Sequence, residues 1–122
     1  MVSAPDELVE FLRERADESL RAVRIYSLDS HRSLYAREDA ERWQSEADVE
    51  YVVSRAREDL RERADDRRWF TAGELEASVR VFHEAVLVNV VLDDDRGVLV
   101  SLDADTASYL HGFVHDCKEW LE

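Results

Sequence analysis

The segment Ala85-Val86-Leu87-Val88-Asn89-Val90-Val91-Leu92 is apolar at every position except Asn89. Successive side chains of a strand point to opposite faces. A strand apolar on both faces must be covered on both. This one segment therefore reads as a central strand of a sheet with a layer of helix on each side.

The rest of the chain supplies the parts. Ser3-Ala4-Pro5-Asp6 reads as a helix cap, and Leu8, Leu12, Ala16 and Leu20 recur at spacing four behind it. From Val23 to Ser27 and again from Leu34 to Ala36 the period is two, with Asp29-Ser30-His31 between, which predicts a hairpin. Glu38 to Gln44 reads as a helical turn anchored by Trp43. Ser45-Glu46-Ala47-Asp48 is a second cap, followed by Val49, Val52, Val53, Ala56, Leu60 and Ala64 on one face of a long helix. Asp65-Asp66-Arg67-Arg68 is read as its end, with extended chain from Trp69 onward. Leu75 to Val81 alternates, Asp93 to Gly97 makes a turn in which Gly97 is free to take positive φ, and Val98 to Leu102 is a further strand. Asp103 or Asp105 then caps a last helix, whose Ala107, Leu110, Val114, Cys117 and Leu121 form a stripe widened by Tyr109, Phe113 and Trp120 and expected to be buried. The predicted order is α-β-β-α-β-β-β-α over a single domain, 1–122. It is an α/β chain of the α+β type, with a five-stranded, mainly antiparallel sheet and helices on both faces.

Composition bears on function by exclusion. Asp and Glu number 29 against 16 Lys and Arg, a formal net charge of -13. Lys118 is the only lysine. A carboxylate surface rich in arginine and poor in lysine suits concentrated salt, where the Debye length is about 3 Å at 1 M and repulsion is screened. The expectation is a protein of an extreme halophile, with loosely held monovalent cations at its acidic surface. A phosphate backbone demands a basic footprint, so nucleic acid is not an expected partner. The first residues have no signal-peptide pattern, no apolar run can span a bilayer, and the single Cys117 suits a reducing compartment. A cytoplasmic location without membrane contact is the expectation.

The predicted order resembles that of the roadblock fold within the profilin-like class: helix, hairpin, long central helix, three-stranded meander, closing helix. The resemblance is one of topology. It implies homodimers built on the central helix and an edge strand, and roles as scaffolds or regulators. In sequence style, Tyr35-Ala36-Arg37-Glu38-Asp39, Ser78-Val79-Arg80-Val81-Phe82-His83-Glu84-Ala85 and Val100-Ser101-Leu102-Asp103-Ala104-Asp105 resemble a small haloarchaeal family of unknown function.

Chemical candidates are few. His111, His115 and Glu119 share a helix face at spacing four, and two imidazoles so placed can chelate Zn²⁺; no second pair or cysteine completes the set, and a wet helix face is the preferred reading. Asp93, Asp94 and Asp95 lack the ligand spacing of a calcium loop. With only Gly73, Gly97 and Gly112, no glycine-rich phosphate loop can form. No cofactor and no catalytic group is expected. The sequence reading is a non-enzymatic adaptor or regulatory protein that contacts a protein partner or itself through exposed aromatics, with Tyr51, Trp69, Phe70 and Phe82 as the contact residues. The alternative is a PAS-like or profilin-like sensory domain, with a small molecule held between sheet and helix by Tyr26, Tyr35 and Trp43.

Overall fold

The computed structural model describes residues 5–43 and 45–121. Ser3 and Ala4 of the first predicted cap lie outside the described residues, as does the side chain of Trp43. The elements are α1 (Pro5–Ala16), a 3₁₀ turn (Asp17–Ser19), β1 (Leu20–Ser27), β2 (His31–Ala36), α2 (Glu38–Trp43), α3 (Glu46–Trp69), β3 (Ala77–Val81), β4 (Ala85–Val91), β5 (Arg96–Asp103), a second 3₁₀ turn (Ala104–Ala107) and α4 (Ser108–Leu121). Every strand pairing is antiparallel and the sheet order is β2-β1-β5-β4-β3. The predicted element order and the α+β architecture are found. β5 is the central strand, and β2 and β3 are the edges.

Strand alternation divides the interior into two cores. On one face, Tyr26, Leu87, Val91 and Leu99 meet Val53, Ala56 and Leu60 of α3. On the other, Leu20, Val23, Val98 and Val100 meet Leu8, Leu12 and Ala16 of α1. Each fully buried Leu or Val side chain is worth about 1.5–3 kcal/mol relative to exposure. The faces are not equally covered. α1 lies mainly over β1 and β2 and reaches Val98 and Val100 of β5. The β3–β4 part of its face is left with Ala77, Val79 and Val90 exposed.

α3 is longer than the sequence suggests. Ser45 Oγ accepts from the Asp48 backbone amide at 3.1 Å, as the cap pattern requires. The charged quartet Asp65–Arg68 does not end the helix, which runs on to Trp69 with Phe70 as its C-cap. Arg67 and Arg68 sit in the last turn, where a cation faces the negative end of the helix dipole. Arg63 and Arg67 also reach across to Glu74 and Asp94 at 2.6–3.1 Å, so the extra turn is tied to the β4–β5 turn. Arg63 is itself buried, donating also to the Leu75 carbonyl at 3.0 Å.

Gly97 corrects a second expectation. It does not take positive φ; among the described residues only Asp17 and Gly73 do. It lies buried in β5, where a Cβ would stand 2.6 Å from the Tyr26 hydroxyl oxygen and 2.8 Å from the Val90 carbonyl oxygen. The glycine is there to let an aromatic ring and a neighbouring strand close over it.

Candidate functional site

α4 departs most from the sequence reading. Its apolar stripe was expected inside; no residue of the helix is buried. Tyr109 is 84% exposed, Phe113 60%, Trp120 89% and Leu121 88%, and Cys117 is exposed as well. The helix packs mainly on the 3₁₀ turn that precedes it. Amphipathic spacing shows that a helix has an apolar face, but not that its own chain covers that face. Asp103 stands at the end of β5, just before that turn. It was expected as a cap, but it makes no capping bond at the turn. Its carboxylate is taken by Arg37, with Nη1 and Nη2 donating at 2.9 and 2.8 Å. Arg37 also forks onto Asp39 at 2.6 and 2.9 Å. This guanidinium holds both carboxyl groups below the usual carboxylate range.

Two apolar surfaces are therefore bare on one chain: the α4 stripe, and the β3–β4 face carrying Ala77, Val79 and Val90, with Leu92 exposed just beyond β4. Leu92 lines the same side of the sheet as Leu8 and Ile25. Of the Val86–Leu92 run, α3 covers Leu87, Asn89 and Val91; on the other side Val86 is buried and Val88 packs into the α1 core, while Val90 and Leu92 are exposed.

The four aromatics named from sequence are all exposed, but they are not gathered together. Tyr51 and Trp69 lie on the same helix about 27 Å apart at 1.5 Å per residue. Trp69 and Phe70 sit at the α3 C-terminus, not at the mouth of a strand. Phe82 follows β3 and borders a cavity with Val49 and Val52 at the opposite end of α3.

The pocket anticipated for a sensor is not formed. Tyr26 is buried on the α3 face, its hydroxyl committed to Asn89. Tyr35 packs with the α1 core, and Arg13 lies 5.4 Å from its ring centroid. The two rings thus lie on opposite faces of the sheet.

The histidine face does not converge into a ligand set. His115 Nε2 lies 3.3 Å from Glu119 Oε1, and His111 Nε2 is enclosed without a hydrogen-bond partner. Among the described residues no group of three or more His, Cys, Asp or Glu is placed to hold a metal ion. The aspartates after β4 have other work. Asp93 accepts from the Asp95 and Arg96 amides at 2.9 and 3.0 Å and from Arg96 Nε at 2.8 Å, and Asp94 binds Arg63 and Arg67. No described helix is long and apolar enough to cross a membrane.

No curated protein matches this chain. A domain family of unknown function, DUF7522, matches residues 6–122, and the chain belongs to that family.

Proposed function

We propose that this protein is a small non-enzymatic adaptor or regulatory module of a halophilic archaeon, working as a homodimer through α4. The reading rests on one observation: a helix with a bare apolar stripe, on a chain that also leaves Ala77, Val79, Val90 and Leu92 of one sheet face exposed. In a two-fold dimer, α4 of each copy lies on the β3–β4 face of the other, so both surfaces are covered by one symmetric exchange.

The area is sufficient. Aromatic side chains bury about 150–250 Å² each, so Tyr109, Phe113 and Trp120 at their exposures offer on the order of 450 Å² per copy. Leu110, Val114 and Leu121 and the sheet valines add to this, and reciprocity doubles it. The total reaches the roughly 1,200–2,000 Å² of stable interfaces. α4 also carries few charges, only Asp116, Lys118 and Glu119 within Ser108–Leu121. The acidic, lysine-poor composition supports the halophile part of the reading, and the exposed thiol of Cys117 fits a reducing cytoplasm.

Light scattering in about 2 M KCl, where charge repulsion is screened, tests the proposal. The expected mass is twice the 14.2 kDa of the chain. Phe113→Asp is expected to give folded monomer, because an unpaired carboxylate is costly to bury. Phe70→Asp, at the far end of α3, is expected to leave the dimer intact. A wild-type mass of one chain across micromolar concentrations overturns the reading and implies that α4 folds back on its own sheet.

A further inference from the structure

A cavity of about 170 Å³ opens between the N-terminal half of α3 and the sheet, on the face opposite the bare valines. Its apolar wall is Val49, Val52, Leu87, Leu99 and Phe82. Its polar lining is Arg21, Arg24, Ser33, Asp48 and Ser101. Ser101 is only 7% exposed. It lines the cavity. Arg21 supplies an unmet donor: Nη1 donates to the Glu84 carbonyl at 2.9 Å, while Nε is enclosed with no partner. Arg24 Nη1 contacts His31 Nδ1 at 3.0 Å, and no carboxylate of the described residues lies within 4 Å of either guanidinium. Burial also lowers the Arg24 pKa, with Glu50 opposing from a greater distance. Asp103 acts on Arg21 only at longer range.

We propose that this cavity binds a small carboxylic acid with a compact, branched apolar body. The carboxylate takes the Arg21 and Arg24 donors and the Ser101 hydroxyl. A guanidinium meets a carboxylate in a matched, charge-assisted geometry, and such bonds are about twice as strong as neutral ones. The apolar body lies against Val49, Val52, Leu87 and Leu99. Size limits the ligand, since a cavity of about 150 Å³ accommodates benzene. Asp48 stands on the same lining, so an α-amino group on the acid has a partner while a simple acid leaves Asp48 to water. Both sources share the recognised chemistry. The site requires neither the dimer nor α4.

Calorimetric titration of the full chain with leucine, 4-methylpentanoate and 4-methylpentanol tests it. Saturable binding of at least one of the two acids is expected below about 10 mM, with leucine the tighter if Asp48 takes part. Arg24→Gln and Ser101→Ala should each weaken that binding, the arginine change by at least about tenfold. Leu99 and Ser101 backbone amide resonances should shift in the wild type on addition of the acid. The proposal is overturned if neither acid saturates, if the alcohol binds as tightly as the acids, or if folded Arg24→Gln and Arg21→Gln proteins bind undiminished.

Discussion

The Tyr26 hydroxyl donates to Asn89 Oδ1 at 2.5 Å, linking β1 to β4 across the intervening β5. Asn89 Nδ2 donates in turn to Asp59 Oδ2 of α3 at 3.0 Å, and Ser78 Oγ of β3 reaches the same oxygen at 2.7 Å. The only polar residue of the apolar run is thus the hub that fixes α3 over the sheet. Tyr26→Phe leaves Asn89 Oδ1 without this donor in the core. The expected loss is about 1–3 kcal/mol, read from urea unfolding. Burial raises the Tyr26 pKa to about 12. A raised pKa means that this contribution is complete below the unfolded tyrosine value of about 10 and is lost as pH climbs through the folded value. An alkaline decline present in the wild type should therefore be smaller in Tyr26→Phe.

Gly97→Ala should be among the more damaging single-methyl changes available. The added carbon meets the Tyr26 hydroxyl oxygen at 2.6 Å and a backbone oxygen at 2.8 Å, and the latter belongs to a paired strand. Overpacking of this kind costs about 1–3 kcal/mol. A paired Tyr26→Ala substitution relieves part of the clash, so the two changes should combine to less than their sum. Additive losses in thermal unfolding would refute this account of the glycine.

Arg37 joins four places: the 3₁₀ turn through the Glu18 carbonyl at 2.7 Å, the start of α2 through Asp39, the end of β5 through Asp103, and β2, which it follows. Because Asp103 and Asp39 are held below their usual pKa, the stabilisation is present above the unfolded Asp value of about 3.9 and disappears as pH falls through the lowered values. Arg37→Gln should be less stable than wild type near neutrality, with the gap closing in acid. A gap that is constant with pH would mean that the arginine acts through packing alone.

Salt should stabilise the fold. The chain carries a formal net charge of -13, and exposed charges repel less as the Debye length shrinks, while salt also strengthens apolar burial. The thermal midpoint is expected to rise substantially between about 0.1 M and 2 M KCl. A flat or falling midpoint would contradict the halophile reading.

Much of this fold was legible because it is written in periodicity. The Ser45 cap, the α3 stripe and the alternation in β1, β2 and β3 each carry a local signal, and antiparallel pairing follows from the short connections. The end of α3 was not legible. Asp65-Asp66-Arg67-Arg68 looks like a breaker until Glu74 and Asp94, distant in sequence, are seen to hold Arg63 and Arg67 in place. The exposure of α4 was hidden for a different reason. Tyr109, Leu110, Phe113 and Trp120 announce an apolar face without saying whose surface it meets. The cavity left no trace in any one segment, since Arg21, Val49, Phe82 and Ser101 come from four elements or their edges and only the tertiary fold brings them together.

The bare helix has a practical consequence. Cys117 and Lys118, the only thiol and the only ε-amine in the sequence, are neighbours on α4. Arginine supplies all other cationic side chains apart from the histidines, so thiol-selective and amine-selective side-chain reagents converge on this one helix. A fluorophore coupled at Cys117 would report directly on whether α4 lies in water or against another surface, and its emission could be followed as salt, ligand or protein concentration is varied.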